Sequence, residues 1–151
     1  DKYAVTFVDN HDTQPGQALA SFIEDWFKPQ AYACILLRGE GYPCIFYGDY
    51  YGIPHDHINP KKDLLDHMLK LRRKYVEGIR HDYIDDPDVI GWTYETGLAV
   101  ILTNSKGGTK RMYVGNKYKR MTDGKHTIDI IDGYGEFICD AASLNLYVVI
   151  F

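Results

Sequence analysis

The chain has 151 residues, 45% of them apolar and 25% charged, and carries a formal net charge of −4. That is the make-up of a globular protein with enough chain for one good core, and its acidic balance excludes phosphate-backbone binding, hence nucleic acid, as the main function. No apolar run approaches the ~20 residues of a membrane-spanning helix, so no membrane role is expected. No secretory signal pattern is present, but Asp1 is not a natural start and the chain is expected to begin inside a domain of a longer parent. Cys34, Cys44 and Cys139 form an odd set without paired spacing. Free thiols are expected, which leans towards a reducing, cytoplasmic compartment and leaves a secreted parent open. The 13 Tyr and 2 Trp suit either sugar stacking or a tyrosine-rich β core, and the core reading is the better default.

In chain order, Tyr3 to Val8 is a β-prone run stopped by Asp9-Asn10-His11-Asp12-Thr13-Gln14-Pro15-Gly16. Pro15 suits the first turn of a helix, and Leu19, Phe22, Ile23, Trp26 and Phe27 then recur at helical spacing. Pro29 is expected to kink or restart that helix, which runs on to Leu37 and stops at Gly39-Glu40-Gly41. A short buried strand from Pro43 to Tyr47 follows, so the order is strand, helix, strand, the unit of a parallel sheet. Tyr50 to Pro60 reads as a loop, and its His55-Asp56-His57 as exposed loop residues in preference to a metal pair. From Lys61, the residues Leu64, Leu65, Met68, Leu69, Leu71, Tyr75 and Val76 make one apolar helical stripe. Lys70, Arg72, Arg73 and Lys74 form a solvated cationic face near its C-terminus, and Gly78 ends it.

From His81 the pattern changes to short β runs separated by turns: Val89–Tyr94, Leu98–Thr103, Arg111–Val114, His126–Ile131, Glu136–Cys139 and Leu144–Phe151. Such spacing predicts an antiparallel sandwich, with a domain boundary near Gly78 to Asp82. There is no internal repeat and no low-complexity segment.

Phe7, Asn10, His11 and Asp12 match the Phe-x-x-Asn-His-Asp signature at the end of the seventh barrel strand of the α-amylase family of glycoside hydrolases. The longer string through Gln17 resembles bacterial liquefying-type and cytoplasmic α-amylases. Gly41 to Asp49, Gly-Tyr-Pro-Cys-Ile-Phe-Tyr-Gly-Asp, resembles the eighth-strand segment of the same family. The resemblance implies an α/β plus all-β fold class. Residues 1–78 would be the last strands and helices of a (β/α)8 TIM barrel, and residues 79–151 the antiparallel β-sandwich that follows it. Two parallel strands cannot close a barrel of eight, so the chain reads as a C-terminal fragment whose first partner is the upstream remainder of the barrel.

The implied chemistry is retaining hydrolysis of α-1,4-glucosidic bonds in starch- or glycogen-like glucans. Asp12 would stabilise the oxocarbenium-like transition state, His11 would bind hydroxyls of the same sugar, and Asn10 would support both. Read without the resemblance, Asp12 is a helix N-cap before Thr13-Gln14-Pro15. The family's nucleophile and general acid belong to upstream strands, so this chain alone is expected to be inactive. Asp9 is ambiguous and stands outside the site, and Asp49 has a structural part. Calcium is implied only for a full-length parent. By position, Pro87, Asp88 and Asn104 would be ligands given by the C-terminal domain, with Asn104 standing where related enzymes can carry an aspartate. The alternatives are a glucanotransferase of the same family and a non-catalytic protein for glucan binding or protein association.

Overall fold

The computed structural model describes residues 3–151. Backbone contacts divide them into two compact units, the first ending at Arg72 and the second spanning Arg73–Phe151. No helix among the described residues is long and apolar enough to cross a membrane.

In the first unit, β1 (Val5–Phe7) pairs in parallel with β2 (Tyr42–Cys44), in the register Val5↔Tyr42, Thr6↔Pro43, Phe7↔Cys44. Gly41 makes the entry into β2 possible. It has φ +69°, and a Cβ there would lie 2.8 Å from the Ala4 carbonyl oxygen, which accepts the Tyr42 N–H at 2.7 Å. Helix α1 (Lys28–Leu36) lies between the strands in sequence.

The expected helix from Pro15 to Phe27 does not form. Residues 8–24 are irregular and turn-rich, and only a 3-10 turn, Asp25–Phe27, precedes α1. The apolar spacing was real, but it serves a loop. Gly16 at φ +85° breaks the run at its start, and within it Asp9 Oδ2 takes the Ile23 amide that a helix would have used. Pro29 then sits in the first turn of α1, where its missing N–H costs nothing.

The loop expected at Tyr50 is also partly structured. Helix α2 (Tyr47–Tyr51) opens it and a 3-10 turn, Pro54–Asp56, follows. Helix α3 (Lys62–Tyr75) lies where the apolar stripe predicts, with Leu65, Met68, Leu71 and Tyr75 buried. One cation of its solvated face has a different role. The Arg72 guanidinium donates to the Leu36 carbonyl at 2.6 Å, closing the C-terminal end of α1.

The second unit is an antiparallel β-sandwich. One sheet has the order β3-β4-β5-β10-β7-β8 and the other is the pair β6-β9. The strands are β3 (Arg80–Tyr83), β4 (Val89–Tyr94), β5 (Leu98–Thr103), β6 (Gly108–Tyr113), β7 (Arg120–Thr122), β8 (Thr127–Asp129), β9 (Tyr134–Cys139) and β10 (Leu144–Val149). β4 and β5 have the predicted limits. β3 and β7 escaped the sequence reading because the first is a polar edge strand and the second is three residues long. β5, between β4 and β10, is buried along all six residues, and its near-continuous apolar run reflects that. β9 and β10 alternate instead, burying Gly135, Phe137 and Cys139 on one and Asn145, Tyr147 and Val149 on the other.

The two sheets meet through Met112, Phe137 and Tyr147. The rings of Phe137 and Tyr147 cross edge to face at 5.1 Å, and the Tyr147 hydroxyl donates to the Ile138 carbonyl at 2.6 Å. Gly91 of β4 has no side chain because Met112 of β6 fills the space; a Cβ there would come within 2.7 Å of its Sδ. Fully burying residues such as Phe137, Ile101 and Leu98 contributes roughly 1.5–3 kcal/mol each. Several tyrosines have structural explanations here, as Tyr94 and Tyr147 in the core and Tyr83 as acceptor of the Tyr113 amide illustrate.

Candidate functional site

The polar cluster at the C-terminal end of β1 is built from the inside outwards. Asp9 is buried, and its two carboxylate oxygens are both engaged. Oδ1 accepts the Thr13 hydroxyl at 2.9 Å, and Oδ2 accepts the Ile23 amide at 3.0 Å and lies 2.8 Å from Lys28 Nζ. Asn10 follows, half-buried. Its Oδ1 accepts the amides of Asp12 at 2.9 Å and Thr13 at 3.1 Å, while its own amide donates to Thr13 Oγ1 at 3.1 Å. Asn10, then, closes the turn through its side chain, as asparagine does in Asx turns.

His11 and Asp12 stand on this turn with their side chains outward, 82% and 59% exposed, and His11 Nε2 lies 3.4 Å from Asp12 Oδ1. No helix begins at Thr13, so Asp12 is not a helix cap, and Asn10 holds the local amides instead. A hollow of about 220 Å³ opens beside the turn, lined by residues including Phe7, Asn10, His11, Phe46 and Tyr47. The predicted residues Asn10, His11 and Asp12 are therefore together, with the two exposed groups adjacent and the amide turned into the backbone.

Sequence reading left Asp9 outside the site and gave Lys28 no role in it. Lys28 is 0% exposed and bridges Asp9 to Asp49 of α2, with Nζ 2.6 Å from Asp49 Oδ1. Asp49 Oδ2 accepts the Tyr32 hydroxyl at 2.5 Å. Burial first, and then the hydrogen bond to Asp49, push the Tyr32 hydroxyl well above its ordinary range, so it remains a donor. No local signal marks this set, because its members come from a strand end and two separate helices. The single hint is a lysine that follows Trp26-Phe27 at the start of a largely apolar helix.

The register Val89↔Thr103 brings Asp88 and Asn104, two of the predicted metal residues, to one end of the β4–β5 pair. Pro87, Asp88 and Asn104 are all exposed. The neighbouring Asp86 uses Oδ1 on its own turn, accepting the amides of Asp88 at 2.8 Å and Val89 at 3.3 Å. A calcium ion takes about six to eight oxygens. One carboxylate, one amide and nearby carbonyls do not by themselves fit that demand. Among the described residues no three His, Cys, Asp or Glu side chains converge to hold a metal. His55 is solvent-facing and lies 3.4 Å from its neighbour Asp56, in keeping with an exposed loop.

Comparison with known proteins gives the chain relatives. No protein-family model matches the chain. It is, however, 50% identical over 159 aligned residues to an α-amylase of Geobacillus stearothermophilus, covering 96% of this chain and 29% of that enzyme. It is 32% identical to the cytoplasmic α-amylase of Escherichia coli K12, covering 97% of this chain and 34% of that protein. The fold resembles a cyclomaltodextrin glucanotransferase of three-domain ABC distribution, with TM-score 0.68 at 17% identity, over 99% of this chain and 37% of that one. The chain thus spans about a third of the length of the relatives it matches. By sequence it corresponds to the C-terminal part of the α-amylase family of glycoside hydrolases.

Proposed function

We propose that the chain serves as the C-terminal portion of an α-amylase-type enzyme, which hydrolyses α-1,4-glucosidic bonds with retention. On this reading residues 1–78, with β1, α1, β2 and the helices after them, are the last strands and helices of a (β/α)8 barrel, and the β-sandwich is the domain after it. The exposure of Val5 (64%) and Tyr42 (70%), apolar residues of two parallel strands, supports that assignment, since barrel strands are otherwise enclosed.

The observation that carries the functional reading is the turn after β1. It presents a carboxylate and an imidazole side by side to solvent, while the side chains of Asp9, Asn10 and Thr13 beneath them are engaged in holding the backbone. Asp12 then opposes the positive charge that grows on the sugar ring in the transition state. His11 meets hydroxyls of the same sugar, and Asn10 supports both through the amides it accepts. The nucleophile and the general acid come from segments outside this chain. Calcium enters only for a longer parent, with Asp88 and Asn104 as at most two of its ligands.

The test is a chimera in which this chain replaces the matching C-terminal segment of the Geobacillus stearothermophilus α-amylase. The chimera should hydrolyse soluble starch. Asp12→Asn in it should lower kcat by about 10²-fold or more, with KM little changed, because the lost charge acts mainly in the transition state. An Asp12→Asn chimera as fast as its parent removes Asp12 from the reaction.

A further inference from the structure

We propose that the buried bridge Asp9–Lys28–Asp49 is the positioning device of the loop that carries His11 and Asp12, and that Lys28 is its central positioning residue. This deepens the function proposed above and rests on it for its catalytic meaning.

Lys28 has three N–H donors and three partners for them. Asp9 Oδ2 is at 2.8 Å, Asp49 Oδ1 at 2.6 Å, and the face of the Phe22 ring lies 3.3 Å from Nζ at its centroid. The ammonium is wholly buried, and burying a charge is tolerable only when it is paired and hydrogen-bonded in this way. Counting two carboxylates and one ammonium, the cluster carries one net negative charge.

From Lys28 the constraint passes outwards in two short steps. Asp9 is held at one oxygen by Lys28, and with its two oxygens it ties Thr13 and Ile23, the two sides of the irregular segment after β1. Thr13 then takes the Asn10 amide on its hydroxyl, and Asn10 takes the amides of Asp12 and Thr13 on its side chain. His11 and Asp12 are therefore fixed in backbone from both sides, though their own side chains are largely exposed and face each other at 3.4 Å. On its far side the bridge is anchored to Asp49, which Tyr32 also holds, while the Tyr32 hydroxyl accepts the Phe46 amide at 3.3 Å. Without Lys28 the two buried carboxylates would repel each other, and Asp9 would lose the contact that orients it.

The experiment is amide hydrogen exchange on the 151-residue chain without sugar, so the result for positioning does not depend on whether Asp12 meets a glucan. Lys28→Met should accelerate exchange at Asp12, Thr13 and Ile23 by at least ~10-fold, and leave the interior of α3 unchanged. The double variant Lys28→Met/Asp49→Asn keeps the net charge of the cluster at its original value and so avoids stranding a second buried anion. It should show the same selective acceleration, and it decides the matter if Lys28→Met does not fold. Thr13→Val should accelerate Asp12 and Thr13 but not Ile23. Uniform acceleration that includes α3, or loop amides in the double variant as protected as in the parent chain, would overturn the proposal.

Discussion

Asp123 shows most clearly how single residues in the second unit are held. It is 6% exposed, and it accepts the Asn145 side-chain amide at 2.7 Å, the His126 amide at 2.6 Å and the Lys125 amide at 2.9 Å. Burial alone would push its carboxyl up, but these bonds, with a further contact to the His126 ring, outweigh it and hold the carboxyl down at about 2. A carboxyl depressed in the folded state adds stability above its unfolded value, and that stability is lost as pH falls through the folded one. Acid titration of the second unit should therefore show a stability loss between about pH 4 and pH 2. In Asp123→Ala that step should shrink, and stability at pH 7 should drop by roughly 1–3 kcal/mol because three donors lose their acceptor. Denaturant midpoints at pH 7, 4 and 2 check both. Burial acts in the same sense on Cys139 but is not outweighed there: it pushes the thiol up to about 11, so that residue is an inert core group.

Among the secondary-structure elements, the two parallel strands and the sandwich strands differ in how much they bury. β1 and β2 are three residues each and expose Val5, Phe7 and Tyr42. β4 and β5 pair over six residues, and β5 is buried throughout. Protection from exchange follows burial and pairing, so amides of Val100 and Ile101 should outlast those of Thr6 and Phe7 by at least ~100-fold. Mass-resolved or NMR exchange on the intact chain checks this. Equal protection of the two sets would show that β1 and β2 are complete without further strands, contrary to their assignment to a barrel.

For the chain as a whole, the proposed division of labour makes a simple prediction about activity. Asp12 can stabilise charge only where a nucleophile and an acid create it, and the proposed function places both outside these residues. The purified 151-residue chain should release no reducing sugar from soluble starch above the buffer rate. Turnover that Asp12→Asn abolishes would mean that the chain carries a complete active site, and the assignment of roles would have to be redrawn. The second unit has its own core of Trp92, Ile101, Met112, Phe137 and Tyr147, the feature that lets a domain fold by itself.

Local pattern was enough to read β4, β5 and α3, because strand alternation, continuous β-branched runs and helical stripes are properties of consecutive residues. It was enough, too, to single out Asn10, His11 and Asp12, whose spacing resembles a family signature. It misled at Leu19 to Phe27, where apolar residues at helical intervals lie in an irregular segment whose Ile23 amide is taken by the carboxylate of Asp9. It passed over β3 and β7, which exist only through their neighbours in the sheet. Only the tertiary structure could decide that Asp9 is buried and structural while Asp12, three residues on, is exposed. The reason is the ammonium of Lys28, 19 positions after Asp9 in the chain and 2.8 Å from its carboxylate, a proximity that no sequence interval encodes.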